Sequence, residues 1–204
     1  SSAVCSSVLL LSHFIGAISG GALYRKTSFL LDHLGKLVFP KFVRIHEQPL
    51  LPRAMGSAAF DSEGVATKAR DIVVSGVLEG YVLGSYSARR LGLETTGNAG
   101  GVHNLTIDPF IEDLLDLIKT LGRGLLVTEF RGFGVNSVTV DYSRGAAGFW
   151  VEDGEIQFPV EEVTIAGNLK TMFRSIKAIG CAVDTKQNIR CGSILVDDLT
   201  VAGQ

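Results

Sequence analysis

The chain has 204 residues, 46% of them hydrophobic, enough to bury a sizeable core and too apolar for a disordered segment. A formal charge of −2 leaves no net basic field to hold a polyanion, so direct nucleic-acid binding is not expected. Three cysteines without disulfide-like density point to a reducing, cytoplasmic setting, and the first residues lack the basic flank of a signal peptide.

Ser6–Tyr24 reads as mostly helical and apolar. Ser12, His13, Gly16, Ser19 and Gly20-Gly21 interrupt it, so a buried helix is expected rather than a membrane span. Tyr24–Gly35 is expected to hold a second short helix, with Phe29, Leu30, Leu31 and Leu34 apolar and Gly35 at its end. Lys41–Glu47 reads as a strand, and Pro49, Pro52 and the small residues up to Ala59 read as an irregular connection. Arg70–Val74 and Val77–Leu83 form a hairpin candidate around Ser75-Gly76. A brief helix over Tyr86–Leu91, a Gly-rich loop over Thr95–Gly101 and a strand over Val102–Ile107 follow.

The clearest helix is predicted over Asp108–Leu121. Asp108 suits the N-cap, Pro109 the first helical position, and Gly122 follows the last turn. Phe110, Ile111, Leu114, Leu115, Ile118 and Leu121 fall on one broad apolar face, expected to be buried. Leu125–Phe130 and Ser137–Tyr142 read as strands flanking the Arg131-Gly-Phe-Gly loop. Gly148-Phe-Trp-Val-Glu and Glu155-Ile-Gln-Phe-Pro-Val meet at Asp153-Gly154, a strong hairpin signal because both turn residues accept positive φ. Leu169–Ile179 reads as a helix, and Ser193–Val196 and Leu199–Val201 as closing strands. With no whole-unit repeat and no linker, residues 1–204 are expected to form one α+β domain. Antiparallel strands and hairpins should dominate it, in barrel- or sandwich-like sheets with a few packed helices.

Ser143, Gly145, Ala146, Ala147 and Gly148, with Arg144 among them, form a run of small residues. Two readings stay open: a tight strand-to-strand corner, or a place where a backbone or extended peptide approaches closely. The neighbouring acids Glu161-Glu162 and Asp197-Asp198 would point to opposite faces of a strand, as solvated edge charges rather than a catalytic dyad.

Several stretches resemble one family, in order and nearly end to end. They are Gly16-Ala-Ile-Ser-Gly, Tyr24-Arg-Lys-Thr-Ser-Phe-Leu, Phe60-Asp-Ser-Glu-Gly-Val, Ser85-Tyr-Ser-Ala-Arg and Thr96-Gly-Asn-Ala-Gly-Gly-Val-His-Asn. Asp141-Tyr-Ser-Arg-Gly-Ala-Ala-Gly-Phe-Trp-Val-Glu, Thr164-Ile-Ala-Gly-Asn-Leu, Asn188-Ile-Arg-Cys-Gly-Ser and Ala202-Gly-Gln continue the series. The wording resembles the C-terminal half of the TldD/PmbA family, in its PmbA (TldE) branch, once labelled a modulator of DNA gyrase. The resemblance implies a strand-rich C-terminal domain, with the family's N-terminal domain absent from this chain.

In the family's metal-bearing branch, a His-Glu-x-x-x-His motif occupies the place of Ser12–Ala17. Its histidines would bind zinc and its glutamate would activate a water. That spacing advances about 500° along a helix, leaving the histidines ~140° apart unless a wider turn brings them together. Here Ser12 and Ala17 stand at the histidine positions, His13 at the glutamate position, and Cys191 at that of a third, cysteine ligand. Ala17 has no donor atom and Ser12 is a poor neutral ligand, so no metal-ligating residue, no catalytic residue and no cofactor are expected. The resemblance instead implies a subunit that supports proteolysis of unfolded peptides beside a TldD-like partner carrying the zinc. Strand addition is the expected way to hold such a peptide, with Ser143–Gly148 the first place for it. A homodimer is expected when the chain is alone, and no membrane contact. Two alternatives stay open: an autonomous hydrolase using Cys191, with His13 or His103 as base, or an unrecognised site, and a structural self-associating domain. Cys5 and Cys181 read as packing residues.

Overall fold

Two left-handed turns organise the strand pairing. Asp153 and Gly154 take φ values of 53° and 76°, and Ser75 and Gly76 take 49° and 76°; such residue pairs match the twist of a two-residue hairpin. Both expected hairpins form, the second with a return strand of only Val77–Leu78 instead of Val77–Leu83. The computed structural model describes residues 2–111, 113–132, 134–135, 140–183 and 185–203. In chain order its elements are β1 (Ser2–Ser6), α1 (Ser7–Ile18), α2 (Gly20–Tyr24), β2 (Ile45–Glu47), β3 (Arg70–Val74), β4 (Val77–Leu78), α3 (Ser85–Leu91) and β5 (Leu105–Ile107). There follow α4 (Leu114–Leu121), β6 (Gly124–Arg131), β7 (Asp141–Glu152), β8 (Glu155–Asn168), α5 (Leu169–Arg174), β9 (Ile176–Ile179), β10 (Ile189–Arg190), β11 (Ser193–Val196) and β12 (Thr200–Ala202).

The strands make a seven-stranded sheet, ordered β12-β8-β7-β6-β1-β11-β9, and a five-stranded sheet, ordered β10-β5-β2-β3-β4. Both are mixed: β1 runs parallel to β6 and β10 parallel to β5, while the other pairs are antiparallel. The fold is α+β, as expected.

The larger sheet is covered on both faces, and alternation along its strands shows how. Ala3 and Cys5 of β1, Leu125 and Val127 of β6, and Ile194 and Val196 of β11 join the main core, with α1 and the smaller sheet. Their neighbours Val4, Leu126 and Leu195 join a second cluster under Leu117, Ile118 and Leu121 of α4. A strand buried on both faces reads as one short apolar run without alternation, as β1 does over Ala3, Val4 and Cys5.

Four expectations need correction. Tyr24–Gly35 turns instead of forming a helix: Lys26 and Asp32 take positive φ, and the Ser28 hydroxyl accepts from Leu30 N at 3.0 Å while donating to the Ala17 carbonyl. The helix expected over Asp108–Leu121 begins only at Leu114, capped by Asp113, whose carboxylate accepts from Asp116 N at 2.8 Å. Asp108 is instead an ion-pair partner, 2.9 Å from His46 and 3.2 Å from Arg44, and Phe110 stacks on Phe42. Leu114 and Leu115 consequently face solvent, at 42% and 65% exposed. The helix expected over Leu169–Ile179 ends at Arg174, and Ile176–Ile179 pairs with β11. Finally, Ser143–Gly148 is no corner; it lies inside β7. Phe133 of the Arg131-Gly-Phe-Gly loop, and Ser137, Val138 and Thr139 of the expected strand Ser137–Tyr142, lie outside the described residues.

Candidate functional site

The expected site residues fall on α1, β7 and the segment between β10 and β11. The regular turn of α1 sets what its side chains can do. Ser12 is exposed, and its hydroxyl donates back to the Val8 carbonyl at 2.7 Å, one helical turn earlier. His13 is half-buried, with its ring edge-on to Tyr142 at 6.0 Å between centroids. Its Nε2 is buried with no hydrogen-bond partner among the described residues. Burial, and then the nearby positive charge of Arg144, hold the His13 pKa below the ordinary histidine value; the imidazole is therefore neutral at pH 7. Ala17 is buried and contributes a methyl group only. Ser12, His13, Gly16 and Ala17 line a cleft of about 270 Å³ together with Phe29 and Leu169.

Cys191 is not among the residues lining that cleft. It is buried near Cys5, and burial followed by the influence of Cys191 pushes the Cys5 thiol up to about 12. A thiol in such surroundings stays protonated and inert. His103, the other base considered for a cysteine nucleophile, has Nδ1 3.3 Å from the Gly56 carbonyl, and its backbone N–H donates to Glu47.

These residues do not fit a zinc ion. A structural zinc needs about four ligands and a catalytic one about three, each a thiolate, neutral imidazole or carboxylate. The aligned positions offer a hydroxyl already bonded within the helix, a methyl group, one imidazole and a buried thiol. Among the described residues no three His, Cys, Asp or Glu side chains come together as a metal-binding group.

The burial of the thiols gives a direct test. In the folded chain, exposed Cys181 should react with a disulfide reagent at once, while Cys5 and Cys191 should react only in denaturant. Fast labelling of Cys191 in a Cys181→Ser variant would restore the nucleophile reading.

Ser143–Gly148 sits in a strand paired on both sides. Gly145, Ala146, Ala147 and Gly148 face Arg131, Phe130, Glu129 and Val127 of β6, and Ser143–Ala146 also faces β8. Ser143 N donates to the Gly134 carbonyl at 2.8 Å. Among the described residues this strand is paired with β6 and β8, so a peptide would find little open edge at Ser143–Gly148. The small residues do admit a close backbone, but it is the chain's own: a Cβ on Gly148 would stand 1.9 Å from the Leu126 carbonyl oxygen. What the segment offers the cleft is a face. Tyr142 and Arg144, two apart on β7 and so on one side of it, are the residues that act on His13.

A second polar centre, which sequence reasoning missed, lies in the smaller sheet. The Glu47 carboxylate is 2% exposed. It accepts from Arg70 Nε at 3.1 Å, Asn98 Nδ2 at 2.7 Å and His103 N at 2.6 Å. Arg70 also donates to the Tyr81 carbonyl and to Asn98 Oδ1. The Thr96–Asn104 stretch is thus held by buried charge. Its Gly-Asn-Ala-Gly-Gly wording was the only available signal.

A family model for the PmbA/TldA metallopeptidase C-terminal domain matches residues 2–203. Metalloprotease PmbA of Escherichia coli O157:H7 is 53% identical over 195 residues, covering 96% of this chain and 43% of that protein. A crystal structure of a candidate modulator of DNA gyrase from Bacteroides thetaiotaomicron superposes with a TM-score of 0.93 at 34% identity, over all of this chain and 47% of that one. TldE from Thermococcus kodakarensis shares the fold, with a TM-score of 0.85 at 24% identity, covering 99% of this chain and 50% of that one. The chain spans less than half the length of the PmbA relative it matches. With both sequence and fold matching across its whole described length, the chain belongs to the TldD/PmbA family, as a PmbA-type metallopeptidase C-terminal domain.

Proposed function

We propose that this chain is the peptide-holding domain of a metal-free PmbA-like subunit, acting with a metal-bearing TldD-like partner on unfolded polypeptides. The observation that supports it is the donor set on α1: Ser12 spent on Val8, Ala17 without a donor, and His13 alone as an imidazole. The names of relatives say metalloprotease, whereas these positions cannot assemble the ligands that such chemistry uses. Peptide-bond hydrolysis is therefore assigned to the partner's zinc. This chain contributes a cleft beside α1, with a neutral His13 in its wall and Ser12, Ala17, Phe29 and Leu169 around it to receive a peptide. β12 ends the larger sheet and offers an edge for strand addition in place of Ser143–Gly148. In the partner's absence a homodimer is expected, and the cytoplasm is the proposed setting.

The test uses the full-length protein. Purified alone, it should carry substoichiometric zinc and cleave no unfolded peptide. Mixed with a TldD-like subunit, it should support cleavage that a chelator abolishes. Full zinc occupancy in the lone subunit, removed by chelator together with a peptidase activity of its own, would overturn the metal-free reading.

A further inference from the structure

A second concavity, of about 390 Å³, adjoins the α1 cleft and shares Phe29 as a common wall. Its size falls in the range of small-ligand pockets, roughly 300–1,000 Å³. Phe29, Leu30, Leu37, Val38 and Phe173 supply an apolar lining, and its charged or titratable members are His33, Lys170 and Arg174. Among the described residues no carboxylate lines it. Lys170 and Arg174 lie one turn apart on α5, a spacing that places neighbouring side chains on one face. The pocket's own walls hold both cations. Lys170 Nζ stands 5.8 Å over the Phe29 ring, and Arg174 donates to the Leu37 carbonyl at 3.4 Å. Neither has an acidic partner among the described residues.

Two unpaired cations above an apolar pocket call for an anion attached to an apolar body. A free phosphate would leave the open faces of Phe29 and Leu37 wet, and a neutral apolar group would leave the cations unused. We propose that this pocket takes the C-terminal carboxylate and last apolar side chain of a peptide. The carboxylate sits between Lys170 and Arg174, and the side chain lies against Phe29 and Leu37. The preceding residues then run past Phe29 into the cleft beside Ser12 and His13. The inference rests on the peptide-holding reading and gives it a direction: the substrate's C-terminal end anchors on this subunit.

The test is titration calorimetry of the full-length protein with two probes, N-acetyl-Gly-Gly-Gly-Phe as the free acid and as the C-terminal amide. The acid should bind at least tenfold more tightly. In a Lys170→Gln, Arg174→Gln double variant, acid and amide should bind equally. Both residues are exposed, and circular dichroism checks that the variant keeps its fold. Equal binding of acid and amide to the unmodified protein would overturn the anchor and leave peptide holding intact. Binding of neither probe, nor of a longer unfolded peptide, would overturn both. Hexanoate binding where the acid peptide does not would reassign the pocket to a free amphiphilic acid and overturn the peptide terminus.

Discussion

Replacing Glu47 with alanine should cost about 3–5 kcal/mol of stability, because it strands a buried guanidinium without its counter-charge. The Arg70 side chain is only 18% exposed and its pair with Glu47 is at 3.1 Å. Burial already pulls the Arg70 pKa below its ordinary value, against the opposing pull of Glu47. Removing the carboxylate also leaves Asn98 Nδ2 and His103 N without a shared acceptor. A buried group left unsatisfied costs about 1–3 kcal/mol by itself. Urea unfolding should show a lower midpoint with an unchanged slope. Replacing the pair together, as Glu47→Leu with Arg70→Met, should recover only part of the loss: it removes the stranded charge, but His103 N and the Tyr81 carbonyl still lose their partners. A loss below about 1 kcal/mol for Glu47→Ala would show a surface-like pair, with water able to reach the centre.

How much of this was legible depends on the range over which each feature is determined. Asp153-Gly154 and Ser75-Gly76 could be read because a turn carries its own backbone requirement. The first turn of the Asp108 helix misled for the opposite reason. Asp108-Pro109 is a sound local start signal, but Arg44 and His46, more than sixty residues earlier, claim the carboxylate. Asp113 then caps the helix in its place. The same limit hid the second half of Leu169–Ile179: Ile176, Ala178 and Ile179 follow an apolar pattern that suits a helix until β11 pairs with them. At the candidate site, the lack of donors at Ser12 and Ala17 was plain from residue type alone. Tyr142 and Arg144 as neighbours of His13 were not, because only the placement of β7 beside α1 joins them. Glu47 gave no local sign of burial. A charged residue ending a short strand is usually solvated.

Phe14→Ala should destabilise the chain by about 3–5 kcal/mol, the cost of emptying a large aromatic site in a packed core. Phe14 is 0% exposed. Its ring meets Phe39 at 4.9 Å and Phe173 at 5.9 Å between centroids, both edge to face, the geometry that the ring quadrupoles favour. Those contacts fasten α1, which carries Ser12, His13 and Ala17, to α5, which carries Lys170 and Arg174. The two helices are therefore held together by the same three rings whose neighbours line both clefts. Phe14→Leu keeps much of the volume and should cost only about 1–1.5 kcal/mol. The loss should also be uneven. Hydrogen exchange should quicken in α1 and α5 well before α4, which packs in the separate cluster on the other face of the larger sheet. Equal loss of protection in α1 and α4 would mean that the two cores unfold as one unit. In that case the rings would stabilise the whole sheet rather than the geometry of the clefts.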